Sequence, residues 1–498
     1  MTFIRKIVRG ENVYLYRVTS YREGNKVRQR SVYLGKGSIE NNDIVKEPKK
    51  NINVRRVFDT APYIMYKVAE DFGIFDDFIP AIDGLTDISD ASRKLVELAI
   101  MNLLGTAGSI EMHTGLKEGT VKEKRDLIQF LGSENPDIIS ILESSISKRI
   151  VESYGKSGIV YDLSAVKYYG ISNELARYGH YYSANGNNKE VNFVLAVTRN
   201  SGIPVHHRIM HGNIVSVDTI KPFIHELKDY NINTVLIVMD RGFYSESNIE
   251  SLNDYSIISA IPATLNIYME LIKRSFNIED PANYIKYNDE TLFFIEYVIS
   301  GKRYIVYFSP VNKSIKINAF YSRLSDIEIS LKELQNIKFN NSTDMVKTVL
   351  SLLKGYKSYI DIEFSENSFT YSLNNKNIKS RTSRMGYFIL FTNIILGPYD
   401  VLNAYRKKDV VEKAFLNSKK AMEPLYAHTV EGTRSKVFLS ILGYSIVSMI
   451  GNRLNFTYAN TLKVLTGIKE VLYTNGRHSP VELTKEQKLL LEKLSIEL

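Results

Sequence analysis

Hydrophobic positions change their period twice along this chain. Residues 2–34 alternate apolar and polar side chains, with turns at Gly10-Glu11-Asn12 and Glu23-Gly24-Asn25. This pattern predicts a three-stranded β-meander. Residues 40–54 are polar with one proline and read as a linker. From about 60 to 150 the period becomes helical, over Ala61–Phe72, Ser92–Leu104, Val121–Leu131 and Ile138–Lys148. Strand patterns return at Ile159–Lys167, Val191–Val197 and Pro204–Met210. A helix over Ser216–Tyr230, a strand over Thr234–Met239, a helix over Ser247–Leu252 and a strand over Tyr255–Ile261 follow. Such a series predicts an α/β fold with a mixed sheet and helices packed on it. Further strands (Leu292–Ile299, Arg303–Phe308, Tyr359–Phe364, Phe369–Leu373) and two helices (Ser325–Leu334, Thr343–Leu353) read as a β-rich insertion into that domain. Residues 434–498 return to a helical pattern, through Thr461–Tyr473 to Lys485–Leu494.

The divisions expected are a basic β-meander over 1–40, a compact helical domain over 55–150 that could bind DNA, a sheet domain over 151–263 and 386–455, the insertion over 264–385, and C-terminal helices over 456–498 that could serve dimerisation. Val437–Gly451 is apolar but only 15 residues long. A membrane span needs about 20, so this is expected to be a buried core helix.

Charge changes the picture at one end. Lys plus Arg is 64 and Asp plus Glu is 55, a net charge of +9. Residues 1–50 hold 12 of those cations and 5 of the anions. A concentrated basic segment that also reads as folded points to a polyanion partner. Arg28 and Arg30 share one strand face, and Tyr14, Tyr16, Tyr21 and Tyr33 interleave with the charges. Such a face can hold phosphates and stack on sugars or bases. A solvated sheet face would look much the same. The chain has no cysteine, so disulfides and thiolate metal sites are excluded, and the start lacks the apolar core of a signal peptide. These features fit a cytoplasmic, nucleoid-associated protein.

Three acids carry the candidate chemistry. Asp162 lies inside the apolar run Ile159-Val-Tyr-Asp-Leu, where an acid needs a partner, a metal or a face to water. Asp240 ends the run Val235–Met239 and precedes Arg241-Gly242. Ligands of α/β sheets collect at the carboxyl ends of strands, although an Asp there also caps turns. Glu412 is expected on a helix with Tyr405, Lys408 and Lys419, at offsets of 0, 3, 7 and 14. On one continuous helix these fall within about 60° of arc. That stripe would combine an acid for metal with cations for phosphate, while Val410, Val411 and Ala414 pack on the sheet. Surface charge stripes share this spacing. Two acids on strands and one on a later helix suit a carboxylate cage for two magnesium ions, with manganese as a substitute.

Together these residues resemble a group of cut-and-paste insertion-sequence transposases, with a ribonuclease H-like core, an Asp-Asp-Glu triad and a Tyr-x2-Arg-x3-Glu-x6-Lys signature. Tyr405, Lys408, Glu412 and Lys419 stand at that spacing, with Lys408 in place of Arg. A phosphate contact survives that change but bidentate geometry does not. Asp240-Arg-Gly-Phe resembles the group's second-acid motif and Tyr161-Asp-Leu-Ser its first. Ser20–Arg30 with Tyr33-Leu-Gly, and Met385–Asn393, resemble further segments, so the likeness runs in order from about residue 3 to about 450.

The resemblance implies a ribonuclease H-like fold and binding of double-stranded DNA as a homodimer, at terminal inverted repeats and at target DNA. It implies metal-dependent nicking, then attack by a 3′-hydroxyl, with Asp162, Asp240 and Glu412 as metal ligands. Tyr405, Lys408 and Lys419 would hold terminal phosphates. Some members stack a flipped base on a tryptophan as they form hairpin ends; with no Trp, either Tyr or Phe would serve here or the hairpin route is not taken. The other readings are a nuclease or resolvase without strand joining, and a DNA-binding derivative without activity. His207 and His211 are four apart, but their segment is strand-like and lacks a His-Glu-x-x-His motif, so they read as structural or near DNA. No Gly-x4-Gly-Lys-Ser/Thr loop occurs, so no nucleotide cofactor is expected. Asn185-Gly-Asn-Asn-Lys reads as a loop near the first strands.

Overall fold

The computed structural model describes residues 2–24, 26–37, 44–46, 53–179, 188–232, 236–339, 341–366 and 368–498. The chain opens with strands β1 (Thr2–Arg9), β2 (Asn12–Glu23), β3 (Lys26–Gly37), β4 (Ile44–Lys46) and β5 (Val54–Asp59). Six helices follow: α1 (Ala61–Asp71), α2 (Ile74–Ile82), α3 (Ala91–Leu104), α4 (Gly108–Thr114), α5 (Val121–Leu131) and α6 (Ile138–Tyr154). Next come β6 (Ile159–Lys167), β7 (Glu190–Thr198), β8 (Pro204–His211), α7 (Ile220–Asp229), β9 (Leu236–Met239), α8 (Glu246–Ser251) and β10 (Ser256–Ala260). After α9 (Asn266–Arg274) run β11 (Tyr284–Tyr287), β12 (Glu290–Ile299), β13 (Lys302–Phe308), α10 (Pro310–Gln335), α11 (Ser342–Leu352), β14 (Ile360–Phe364), β15 (Phe369–Leu373) and α12 (Asn375–Thr382). The last part holds β16 (Tyr387–Thr392), α13 (Pro398–Arg406), α14 (Asp409–Met422), α15 (Val430–Leu454), α16 (Tyr458–Thr466), β17 (Lys469–Tyr473), β18 (His478–Pro480) and α17 (Lys485–Leu494).

Two compact units result. The smaller comprises residues 1–60 with 467–485. Its meander β1-β2-β3 is antiparallel, as the alternation predicts, and β4 extends it. A second small sheet pairs β17 with both β18 and β5. The helix expected over Thr461–Tyr473 therefore stops at Thr466, where Gly467 follows, and Val471, Leu472 and Tyr473 go into a strand instead. Its partner lies some four hundred residues away, which no local period reveals. The linker expected over 40–54 and the loop over 185–189 lie mostly outside the described residues.

The larger unit spans 61–466 and 486–497. Its nine-stranded mixed sheet has the order β11-β12-β13-β16-β10-β9-β6-β7-β8. Three antiparallel strands, β6 to β8, are joined by β9 and β10 in parallel with β6. On β6, Tyr161 turns to one face, stacking on Phe223 of α7 at 4.0 Å. Val160 and Val166 turn to the other and share a core with Val411, Ala414, Phe415, Val437 and Ile441. Helices thus cover both faces.

The helices α1 to α6 belong to this same unit, with α3 and α5 packed on α15, rather than to a separate domain over 55–150. The expected boundaries of α1, α3, α5 and α6 differ from the observed ones by a residue or two, apart from the C-terminal end of α6. α5 starts on a capping box, Thr120 with Glu123. The apolar run Val437–Gly451 lies inside α15, a helix long and apolar enough to cross a membrane but 89% buried over its most apolar stretch. Residues 264–385 are not the β-rich insertion expected. β11, β12 and β13 join the main sheet, and most of the rest is helical. Ser309 caps the 26-residue α10 and Pro310 opens it. α10, α11, α12 and the β14–β15 hairpin close over their own core of Phe320, Leu324, Ile327, Leu331, Met345, Val349 and Phe369.

A buried ionic cluster ties α6 to the sheet. Glu143 of α6 meets His206 at 2.9 Å and also His207, both on β8, and His206 meets Glu226 of α7 at 2.8 Å. The His206 contacts have ion-pair distances, though the ring nitrogens lie off line for hydrogen bonds. Burial alone would pull His206 down, but Glu143 and Glu226 raise its pKa to about 9 from an ordinary 6.5. Burial would likewise push Glu143 up, yet His207 and His206 lower it to about 2 from 4.5. The histidine's contribution to stability is complete below about pH 6.5 and is lost as pH rises toward 9. The glutamate's is complete above about pH 4.5 and is lost as pH falls toward 2. The melting temperature of the larger unit should plateau between those limits. His206→Gln should flatten its alkaline limb, a change that thermal scans across pH 4–9 would read.

Candidate active site at the carboxyl end of β9

The parallel ladder between β6 and β9 ends at Tyr161 opposite Met239. One residue further on, Asp162 continues β6 and Asp240 follows directly on the end of β9. Equal register gives both side chains the same face. That face carries Val160 and Val238, so both acids turn toward the helices α13 to α15. β9 stops here while β6 continues beside β7, which opens a notch at the sheet's carboxyl edge. Each acid is fixed by a local backbone bond, Leu163 N–H donating to Asp162 Oδ1 and Arg241 N–H to Asp240 Oδ1, both at 2.8 Å.

The single helix expected around Glu412 is two helices. α13 ends at Arg406, α14 begins at Asp409, and Lys408 sits at the junction as the N-cap. Tyr405 is therefore on α13, and the continuous stripe through Tyr405, Lys408, Glu412 and Lys419 does not exist. The break lacks Gly or Pro; the acid of β9 helps to hold it. Tyr405 donates its hydroxyl to Asp240 Oδ1 at 2.9 Å, and Lys408 Nζ lies 3.0 Å from Asp240 Oδ2. Val411 and Ala414 are buried against the sheet, as the sequence pattern implies, and Val410 is partly buried; Phe415 is buried as well, edge-on to Phe193 of β7 at 5.0 Å. Glu412, in the first turn of α14, is exposed. At the far end of that helix Lys419 Nζ donates to Ser164 Oγ of β6 at 2.7 Å. Ser164 lies two residues beyond Asp162 on the same face, so Lys419 lies along the same groove.

Burial and neighbouring charge shift several of these groups. Burial is the largest influence on Asp162, and the negative charges of Asp240 and Glu412 add to it; its pKa is pushed up to about 6. Glu412 thus acts on Asp162 although their segments are 250 residues apart. Burial would also raise Asp240, but Lys408, the Arg241 N–H and Tyr405 hold it below the ordinary carboxylate range. Burial and the same acids keep the Tyr405 phenol protonated, as a donor needs. Burial lowers Lys419.

Asp162 and Asp240 stand side by side on a half-buried edge, and with Glu412 nearby on α14 they carry more negative charge than Lys408 balances. Their oxygens are hard donors of the kind Mg2+ and Mn2+ accept, so the residues fit a divalent-cation site. Beside Asp240 a pocket of about 380 Å3 is lined by Arg241, Lys316, Arg406, Tyr268, Tyr387 and Tyr405. The sequence pattern had not marked Lys316 or Arg406, and had marked Arg241 only as part of the Asp240-Arg-Gly-Phe motif. They come from three segments, and only the fold brings them together. The pocket has the cations and aromatic rings that suit a nucleotide chain.

The other basic candidates, Arg28 and Arg30, lie exposed on β3 of the smaller unit, where Arg28 pairs with Glu23 at 2.7 Å. Tyr14, Tyr16 and Tyr33 cluster together, while Tyr21 is exposed. Of the histidines, His207 is bound to Glu143, and His211 Nδ1 meets the Glu174 carbonyl at 3.0 Å.

No protein-family model matches the chain, and no curated protein matches it. Among solved structures the chain is similar to a piggyBac transposase synaptic complex with hairpin DNA. The TM-score is 0.37 and the identity 8%, over 87% of this chain and 79% of that one. A likeness that distant fixes neither fold nor chemistry.

Proposed function

We propose that this protein is a DNA transposase of the Asp-Asp-Glu kind, cutting and joining DNA strands with Mg2+ or Mn2+. The observation that carries the reading is the meeting of Asp162 and Asp240 on adjoining parallel strands, within the field of Glu412 on the helix that covers them. The strand order around them, three antiparallel strands and then two parallel ones, supports a ribonuclease H-like core. Asp162, Asp240 and Glu412 would hold the ions, which when bound supply an activated water and stabilise the attacking and leaving oxygens of a phosphodiester.

The chain's own groups do the rest. Tyr405 fixes the rotamer of Asp240 through its hydroxyl. Lys419, anchored at Ser164, and Lys408, at the positive end of α14, offer charge to the phosphates on either side of the acids. Arg241, Lys316 and Arg406 extend that charge into the adjoining pocket. Joining is a transesterification: a 3′-hydroxyl forms one phosphorus–oxygen bond as another breaks, so no nucleotide is consumed. The substrate would be double-stranded DNA, at the element's terminal inverted repeats and then at the target, engaged by a homodimer.

The test is strand transfer. A duplex from the DNA flanking the coding sequence, labelled beside a free 3′-hydroxyl, is incubated with the protein, a supercoiled plasmid and Mg2+ or Mn2+. Label joined to plasmid is expected. Cleavage with no joined product would instead establish a hydrolytic nuclease, and binding alone an inactive derivative.

The β3 cations have a separate signature. Arg28→Ala with Arg30→Ala should weaken DNA binding about equally for all sequences and reduce the salt dependence by roughly one to two phosphate contacts. Most of the change should come from Arg30, since Arg28 already pairs with Glu23. Binding titrations at several salt concentrations measure it.

A further inference from the structure

We propose that Lys408 is a built-in counter-ion of Asp240 that must move aside when a divalent cation binds, so that metal and DNA phosphate are taken up cooperatively. The inference rests on the reading of the three acids as metal ligands and adds a regulation to that site.

Its basis is the occupancy of Asp240. Oδ1 accepts from Tyr405 and from the Arg241 N–H, and Oδ2 lies 3.0 Å from Lys408 Nζ. A divalent ion sits about 2.1 Å from a carboxylate oxygen, so on Oδ2 it would face the ammonium group of Lys408 at close range. The two positive charges would also repel strongly at such a distance in a partly buried site. The Lys408 backbone is held where α13 meets α14, with its N–H bonded to the Tyr405 carbonyl at 3.1 Å. The side chain above it is a flexible stem with a single charge, able to swing while the Tyr405–Asp240 hydrogen bond still ties the helix junction to the sheet. A destination for anions adjoins it, since Asp240 and Tyr405 also line the pocket of Arg241, Lys316 and Arg406. A DNA phosphate near that pocket would draw Lys408 away and free Oδ2. By reciprocity, an ion at Asp240 would release Lys408 to the phosphate.

The experiment is Mn2+ binding to the full chain, followed by electron paramagnetic resonance, with and without a short DNA duplex. Lys408→Met should tighten Mn2+ binding without DNA on the order of tenfold. It should also abolish most of the enhancement that DNA gives the unmodified protein. Lys408→Gln, neutral but still polar, should do the same and covers the case in which the methionine variant folds poorly. Asp240→Asn separates the proposal from its premise. If that variant binds Mn2+ like the unmodified protein, the acids are not ligands and both ideas fall. If it loses an ion while neither Lys408 variant gains affinity, only the counter-ion proposal falls.

Discussion

Asp240→Asn should reduce metal-dependent DNA strand cleavage on the order of 10^3-fold while leaving DNA binding intact. The substitution keeps the size and both backbone neighbours of the side chain but removes the charge that a divalent ion requires. It also releases Lys408 from its ion pair at 3.0 Å, which adds one free cation to the groove. DNA affinity should therefore hold steady or rise as cleavage collapses. A global folding defect would lower both. Asp162→Asn should match it, because the two carboxyls stand at the same level of adjoining strands. Tyr405→Phe should cost much less, since it removes one hydrogen bond to Asp240 and no charge. Nicking of an end-labelled duplex in Mg2+, beside a binding titration in Ca2+, supplies both readings. Cleavage by Asp240→Asn within tenfold of the unmodified protein would remove the acids from the chemistry.

The largest loss of stability is expected from Glu143→Ala. Glu143 is buried in α6 and is the common partner of His206 and His207, and its Oε1 also accepts the His207 N–H at 3.0 Å. Its removal strands a positive His206 with Glu226 as its remaining acid and leaves a cavity between α6 and β8. Breaking a buried pair on one side typically costs about 3–5 kcal/mol, so most of the margin of an ordinary domain would go. Glu143→Gln should cost less, because the amide oxygen still accepts the backbone bond. Urea denaturation followed by circular dichroism gives the difference. A loss under about 1 kcal/mol would mean that the cluster relaxes freely around the gap.

The elements holding two of the three acids were readable because burial leaves continuous apolar runs. Val160, Tyr161 and Leu163 flank Asp162, and Ile237, Val238 and Met239 lead into Asp240. The face of α14 was readable too, through Val411 and Ala414. The break at Lys408 was not, because no helix-breaking residue stands there; tertiary contacts from Tyr405 and Lys408 to Asp240 favour it. α10 hid most of its length for a different reason. Val311, Ile315 and Ile329 are exposed opposite buried Phe320, Leu324 and Ile327, so its apolar positions form no clean stripe. Long-range pairing was invisible throughout. Nothing local joins β17 to β5, Glu143 to His207, or Arg406 to Lys316.

The long excursion that separates β13 from β16 begins and ends at one place. Phe308, the last residue of β13, is the cross-strand partner of Tyr387, the first of β16. Most of what lies between folds around its own core of Phe320, Leu324 and Met345, while the start of α10 stays against the main sheet and lends Lys316 to the pocket beside Asp240. Geometrically it is a cassette: a tight two-residue turn could replace it and keep every rung of the pairing beside it. Evolution can therefore enlarge, trim or exchange this piece without re-registering the strands that carry Asp162 and Asp240.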